Sequence, residues 1–122
     1  MNMDIKQVNT IINRNDLKER LDGDVDLLHD LVEIFIDDSV NLINNIENAI
    51  NAKDASAIGK TAHTLKGAVS NFSAQKAYEI ALKIEKMGKA GEIAVNEEFE
   101  SLKKEIDLTK KALEFLTSEK TF

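Results

Sequence analysis

The sequence holds no cysteine, no proline and no tryptophan, and only 5 glycines in 122 residues. Without cysteine there is no disulfide framework, no thiolate metal site and no thiol nucleophile. At ordinary usage of ~5% a chain of this length would carry about six prolines. Proline interrupts helices and decorates turns, so its absence suits long helices joined by short links. Two histidines are too few for a histidine-rich metal site. No apolar run approaches the ~20 residues of a membrane span, and the polar start MNMDIKQ has no signal-peptide character. No glycine-rich phosphate cradle of either nucleotide-binding spacing occurs. The excess of 22 acidic over 16 basic side chains argues against nucleic-acid binding, which needs a basic face. These exclusions lead to an expectation of a cytoplasmic chain with no membrane or nucleic-acid partner.

What remains is a globular composition, 43% hydrophobic and 31% charged. The length suits one domain with one real core. Charge is uneven. Residues 1–50 carry 4 basic and 11 acidic groups, residues 51–83 carry 5 against 2, and residues 84–122 carry 7 against 9. The middle is therefore a basic island in an acidic chain. Such a distribution fits either a functional basic face or a scatter of solvated charges.

Apolar spacing predicts helices throughout. Ile5, Val8 and Ile12, followed by Leu17 and Leu21, read as one or two short helices before Gly23. Asp24 is a good N-cap for a long helix whose stripe runs Val25, Leu28, Val32, Phe35, Leu42, Ile46 and Ala49. Asp54 caps the next, with Ile58, Ala62, Leu65 and Val69 on one face. Residues 74–88 place Ala77, Ile80, Ala81, Ile84 and Met87 together, with Ser73 as the expected cap and Gly88 and Gly91 as stops. Asn96 is expected to cap a last helix bearing Phe99, Leu102, Ile106, Leu113 and Leu116, with Thr109 at the polar slot. Met87 and the phenylalanines read as core. Four amphipathic helices with short links are best buried as an all-α, antiparallel up-down-up-down four-helix bundle, with the short N-terminal helix or helices capping an end or side. The expected core spans residues 24–116 of a single domain, 1–122, and residues 117–122 are expected to fray.

The chemistry concentrates at His63. It follows the buried Ala62 by one residue, about 100° round the helix, so it points off the core. Its neighbours one turn away are Gly59 and Gly67, and Lys60 and Lys66 flank it at three residues. Each mid-helix glycine costs about 0.8–1 kcal/mol relative to alanine. One reading is access: bare backbone lets an imidazole stand clear of the surface while the lysines attract an anion. The other is a surface histidine with solubilising lysines, its glycines serving a close helix contact. His29, with Asp26 three residues before it, is a weak match to a bundle metal pattern that needs two copies, and it reads as a surface side chain. The aspartates of residues 22–38 read as a solvated face, since two aspartates alone do not make an ion-binding loop.

Residues 62–74, AHTLKGAVSNFSA, closely resemble the signature of histidine-containing phosphotransfer (HPt) domains. GDVDLLHDLVEIF upstream resembles the family's Gly-Asp and Leu-rich helix, and Ala77, Ala81, Ile84 and Glu85 resemble its following helix. The resemblance covers about residues 15–116 and implies a phosphocarrier of a multistep His–Asp relay, without ATP binding or kinase activity of its own. It implies that His63 accepts and donates the phosphoryl group, that Lys66 acts electrostatically, and that Gly67 leaves room for the partner. Glu85 falls where the family places a polar side chain, often glutamine, on the second ring nitrogen. An alternative role for Glu85 is as a solvated partner of Lys83 or Lys89. Lys60 either adds positive field or is an ordinary exposed lysine. The implied partners are response-regulator receiver domains and a hybrid sensor kinase, met by a monomer. The chain itself needs no cofactor, Mg²⁺ coming with the receiver. Ala68 and Ser73 depart from the family's usual serine and glycine, which implies altered packing or capping rather than lost chemistry. Two other functions share these features: a non-catalytic HPt-like interaction bundle, and the phosphoacceptor module of a chemotaxis-type kinase.

Overall fold

A computed structural model describes residues 3–122, which form six α-helices and no strand. The two short ones are α1 (Ile5–Ile11) and α2 (Arg14–Arg20). The four long ones are α3 (Val25–Asn51), α4 (Ala55–Ser70), α5 (Gln75–Lys89) and α6 (Asn96–Ser118). At 1.5 Å per residue α3 is about 40 Å long, and α4 about 24 Å. Consecutive long helices touch, α3 with α4 and α5 with α6 as well as α4 with α5. α3 also touches α6, and α1 lies on α6. The expected stripes are the ones that go inside: Leu28, Val32, Phe35 and Ile46 of α3, and Ile58, Ala62, Leu65 and Val69 of α4 are all buried. Ala77, Ala81 and Ile84 face them from α5, and Leu102, Ile106, Leu113 and Leu116 from α6. The Phe35 and Phe72 rings meet with centroids 5.1 Å apart. No helix among the described residues is long and apolar enough to cross a membrane.

Local chemistry accounts for most boundaries. Asp24 and Asp54 cap α3 and α4, each carboxylate accepting from the backbone N–H three residues on. The other two expected caps are not caps. α5 starts after Ala74 and α6 after Val95, and neither start has a side-chain cap bond. Ser73 is diverted because its backbone is left-handed (φ 57°), which turns its hydroxyl to Asp16 of α2, donating at 2.6 Å. The Asn13 N–H also donates to the Ser73 carbonyl, so this residue anchors α2 to the α4–α5 link. A left-handed backbone here fits a position where glycine would be unstrained. Val95 takes the cap position of α6 because it is fully buried, leaving the exposed Asn96 as the first helical residue. Gly88 does not stop α5. The helix runs through it to Lys89, and Gly91 (φ 83°) makes the turn.

The tail expected to fray is ordered by its last aromatic ring. α6 continues to Ser118, Phe122 is buried, and the Arg14 guanidinium donates to the Phe122 backbone oxygen. Phe122 escaped the pattern because the chain turns at Lys120 (φ 51°), which takes the ring out of the helix period. Phe122→Ala is expected to lower stability by about 2 kcal/mol in urea unfolding, less than a central phenylalanine because it packs at the margin of the core.

Candidate functional site

The outer edge of the α4–α5 contact carries the site. The stripe Ile58, Ala62, Leu65, Val69 holds α4 to the core, so His63 emerges beside it with its side chain 64% exposed. On α5 the stripe Ala77, Ala81, Ile84 does the same, and Glu85, next in sequence, lands under the imidazole. Glu85 is 2% exposed and has three cationic or protic partners. Its Oε2 lies 2.7 Å from His63 Nδ1 and 3.0 Å from Lys89 Nζ. Its Oε1 accepts from Lys66 Nζ at 2.7 Å. Lys66 reaches it along a mostly buried stem, its ammonium 6.0 Å from the centre of the Tyr78 ring.

A buried carboxylate is costly unless it is paired and bonded. Here the Lys66 ammonium holds the Glu85 carboxyl down to about 2, against the opposing effect of burial, and Lys89 and His63 add to the lowering. Glu85 is therefore ionised at neutral pH and can only accept. It follows that His63 Nδ1 carries the proton and donates it to Oε2. When the ring is neutral, it presents a bare Nε2 lone pair on its exposed side.

The surroundings of that nitrogen are open. A side chain on Gly67, one turn beyond His63, would meet nothing within 4 Å. On the other side a groove of about 810 Å³ is lined by Ser56, Lys60, His63, Thr64, Glu85 and Lys89, among others. The two glycines flanking His63 thus differ. Gly67 supplies free space, whereas Gly59 is buried against α5. Open space flanks His63 on one side and close helix packing on the other.

Of the residues singled out from sequence, His63, Lys66, Gly67 and Glu85 converge here, and Lys60 lines the groove. Lys66 bonds to Glu85 rather than standing free beside the ring. Lys89, four residues from Glu85 on the same face, was anticipated only as an alternative solvated partner of Glu85, and Gly88 only as a helix stop. His29 lies apart on α3, facing Glu33 at 3.4 Å. Among the described residues no three His, Asp or Glu side chains cluster to hold a metal ion.

The family model described as Hpt domain matches residues 30–112, more than half of the chain. No curated protein matches. A crystal structure of histidine-containing phosphotransfer protein B from Pseudomonas aeruginosa PAO1 superposes with a TM-score of 0.75 at 22% identity, covering 96% of this chain and 95% of that one. That likeness establishes the fold. The matched segment takes in the exposed imidazole of α4, its lysine and glycine neighbours, and the helix that supports the ring. This chain therefore belongs to the Hpt domain family.

Proposed function

We propose that this protein accepts a phosphoryl group on His63 Nε2 from the aspartyl phosphate of one receiver domain and passes it to another in a multistep phosphorelay. The family consists of phosphocarriers that work with receiver domains. The observation that carries the residue assignment is the 2.7 Å contact between His63 Nδ1 and an ionised, buried Glu85.

In the proposed step the Nε2 lone pair attacks phosphorus while the P–O bond to the aspartyl carboxylate breaks. The carboxylate leaves with the electron pair, in line with the attacking nitrogen. The ring gains positive charge as the N–P bond forms. Its Nδ1 proton stays on the Glu85 side, where the carboxylate offsets that charge. Lys66 acts through Glu85 by keeping it ionised, and with Lys60 and Lys89 it makes the rim favourable for a phosphoryl anion. Return transfer reverses each step. Nothing in it uses ATP, so we assign no kinase activity to the chain itself. Mg²⁺ would come with the receiver.

The same reading includes an antiparallel up-down-up-down arrangement of α3 to α6. Links of a few residues between touching neighbours support it, since short connections leave little choice but reversal. We also place the protein in the cytoplasm as a monomer and treat residues 1–122 as one domain.

Incubation with phosphorylated receiver domains and Mg²⁺ tests the proposal. The expected product carries one acid-labile, alkali-stable phosphoryl group, located on the peptide containing His63 by mass spectrometry. Binding to receivers without any transfer would instead identify a non-catalytic interaction bundle.

A further inference from the structure

We propose that Gly59 and Gly88 form a spacer that sets the distance between His63 and Glu85, making Gly88 a positioning residue for phosphotransfer. This rests on the function proposed above. A Cβ built on Gly88 would stand 2.5 Å from the Gly59 nitrogen, 2.8 Å from the Ala55 carbonyl oxygen and 2.9 Å from the Gly59 Cα. All three are backbone atoms of α4, so no side chain can swing aside to make room. The two helices therefore cross here backbone to backbone. From the opposite side, a Cβ on Gly59 would meet the Glu85 carbonyl oxygen and the Lys89 nitrogen at 3.4 Å.

This crossing lies one helical turn from the chemistry. His63 follows Gly59 by four residues on the same side of α4, and Glu85 precedes Gly88 by three on α5. α-Helices are stiff over one turn, so the separation at the crossing is passed on to the His63–Glu85 contact. To reach ordinary contact with the Gly59 nitrogen, a methyl on Gly88 needs about 0.9 Å more room, the difference between 3.4 and 2.5 Å. Carried rigidly to the site, that would stretch the 2.7 Å contact to about 3.6 Å, past hydrogen-bond range. The ring would then lose the partner that holds the proton on Nδ1. A glycine pair this close to the site is unfavourable for helix formation at both positions, which fits a crossing built for proximity.

The consequences differ among the three glycines. Gly88→Ala forces backbone apart, Gly59→Ala reaches its neighbours at ordinary contact, and Gly67→Ala meets nothing. Imidazole ¹⁵N shifts of His63, measured on the full chain at pH 7–8, read the tautomer directly. Receiver-driven phosphorylation rates read the outcome. In the wild type Nδ1 is expected to be protonated and Nε2 bare. Gly88→Ala is expected to lose that signature and slow phosphoryl acceptance at least tenfold, while Gly59→Ala and Gly67→Ala keep the signature. A folded Gly88→Ala protein with unchanged ring shifts overturns the proposal, as does loss of the signature to the same extent in Gly67→Ala. Should Gly88→Ala fail to fold, Gly59→Val decides, because its Cβ already touches the α5 backbone and its γ carbons must push α5 away: unchanged shifts overturn the spacer and displaced shifts support it. If the wild type accepts no phosphoryl group, the proposed function fails, while the ring shifts still report on the spacer.

Discussion

Replacing His63 with glutamine is expected to abolish phosphoryl acceptance from every receiver, a loss of at least about 10³-fold, while the protein stays folded. The nucleophile in the proposed step is a ring nitrogen whose lone pair is free because its partner nitrogen holds the proton. A glutamine amide has no comparable lone pair, since its nitrogen is conjugated with its carbonyl. Glu85 stays paired with Lys66 and Lys89, which bond it independently of the ring. The side chain being replaced is 64% exposed and takes no part in the core. Stability should therefore move by no more than about 1.5 kcal/mol, the contribution of one hydrogen bond to the carboxylate. Acid-labile label after incubation with phosphorylated receiver, read beside a thermal unfolding curve, checks both halves. A glutamine variant that still carried acid-labile phosphate would place the acceptor elsewhere.

Glu85→Gln is expected to change how stability responds to acid. In the folded protein the Glu85 carboxyl is held at about 2, against an ordinary value of 4.5. The folded state therefore prefers the charged form more than the unfolded chain does. Above about pH 4.5 both states are ionised and the full contribution is present. It is lost as the pH falls toward 2, where the folded state takes up its proton as well. At about 1.4 kcal/mol per pH unit this amounts to about 3 kcal/mol. Side-by-side unfolding of wild type and variant between pH 7 and pH 2 should show a gap of about 2–3 kcal/mol near neutrality, closing as the pH drops through the interval 4.5 to 2. A gap that stayed constant would mean that the carboxylate contributes nothing as an ion. On the transfer reaction, glutamine should be milder than alanine. Its carbonyl can still accept from Nδ1, although its amide group then faces the Lys66 ammonium, donor against donor. Glu85→Ala leaves the ring unsupported, and misplacement on the order of 1 Å costs about 10²-fold.

Much of this architecture is readable along the chain. The stripes of α3 and α4 appear as periods because each helix has one buried face, and Asp24 and Asp54 act on backbone only three residues away. Ser73, Asn96 and Phe122 were misjudged for one shared reason. Each looks like a local signal, a cap or a frayed end, yet its conformation is set by tertiary packing: Asp16 for Ser73, burial of Val95 for Asn96, and Arg14 with the core for Phe122. At the site, the position of His63 off the apolar face of α4 followed from counting residues. Glu85 was reached only through family resemblance, Lys89 only as an alternative partner for it, and Gly88 only as a helix stop.

Spacing along α4 was enough to send an imidazole outward between glycines and lysines, because residues one turn apart are neighbours in any helix. Which carboxylate meets Nδ1, and at what distance, depends on the register and closeness of two helices that pack through their backbones. The interlocking of Gly59 with Gly88 sets both, and it exists only once the core has brought α4 and α5 together.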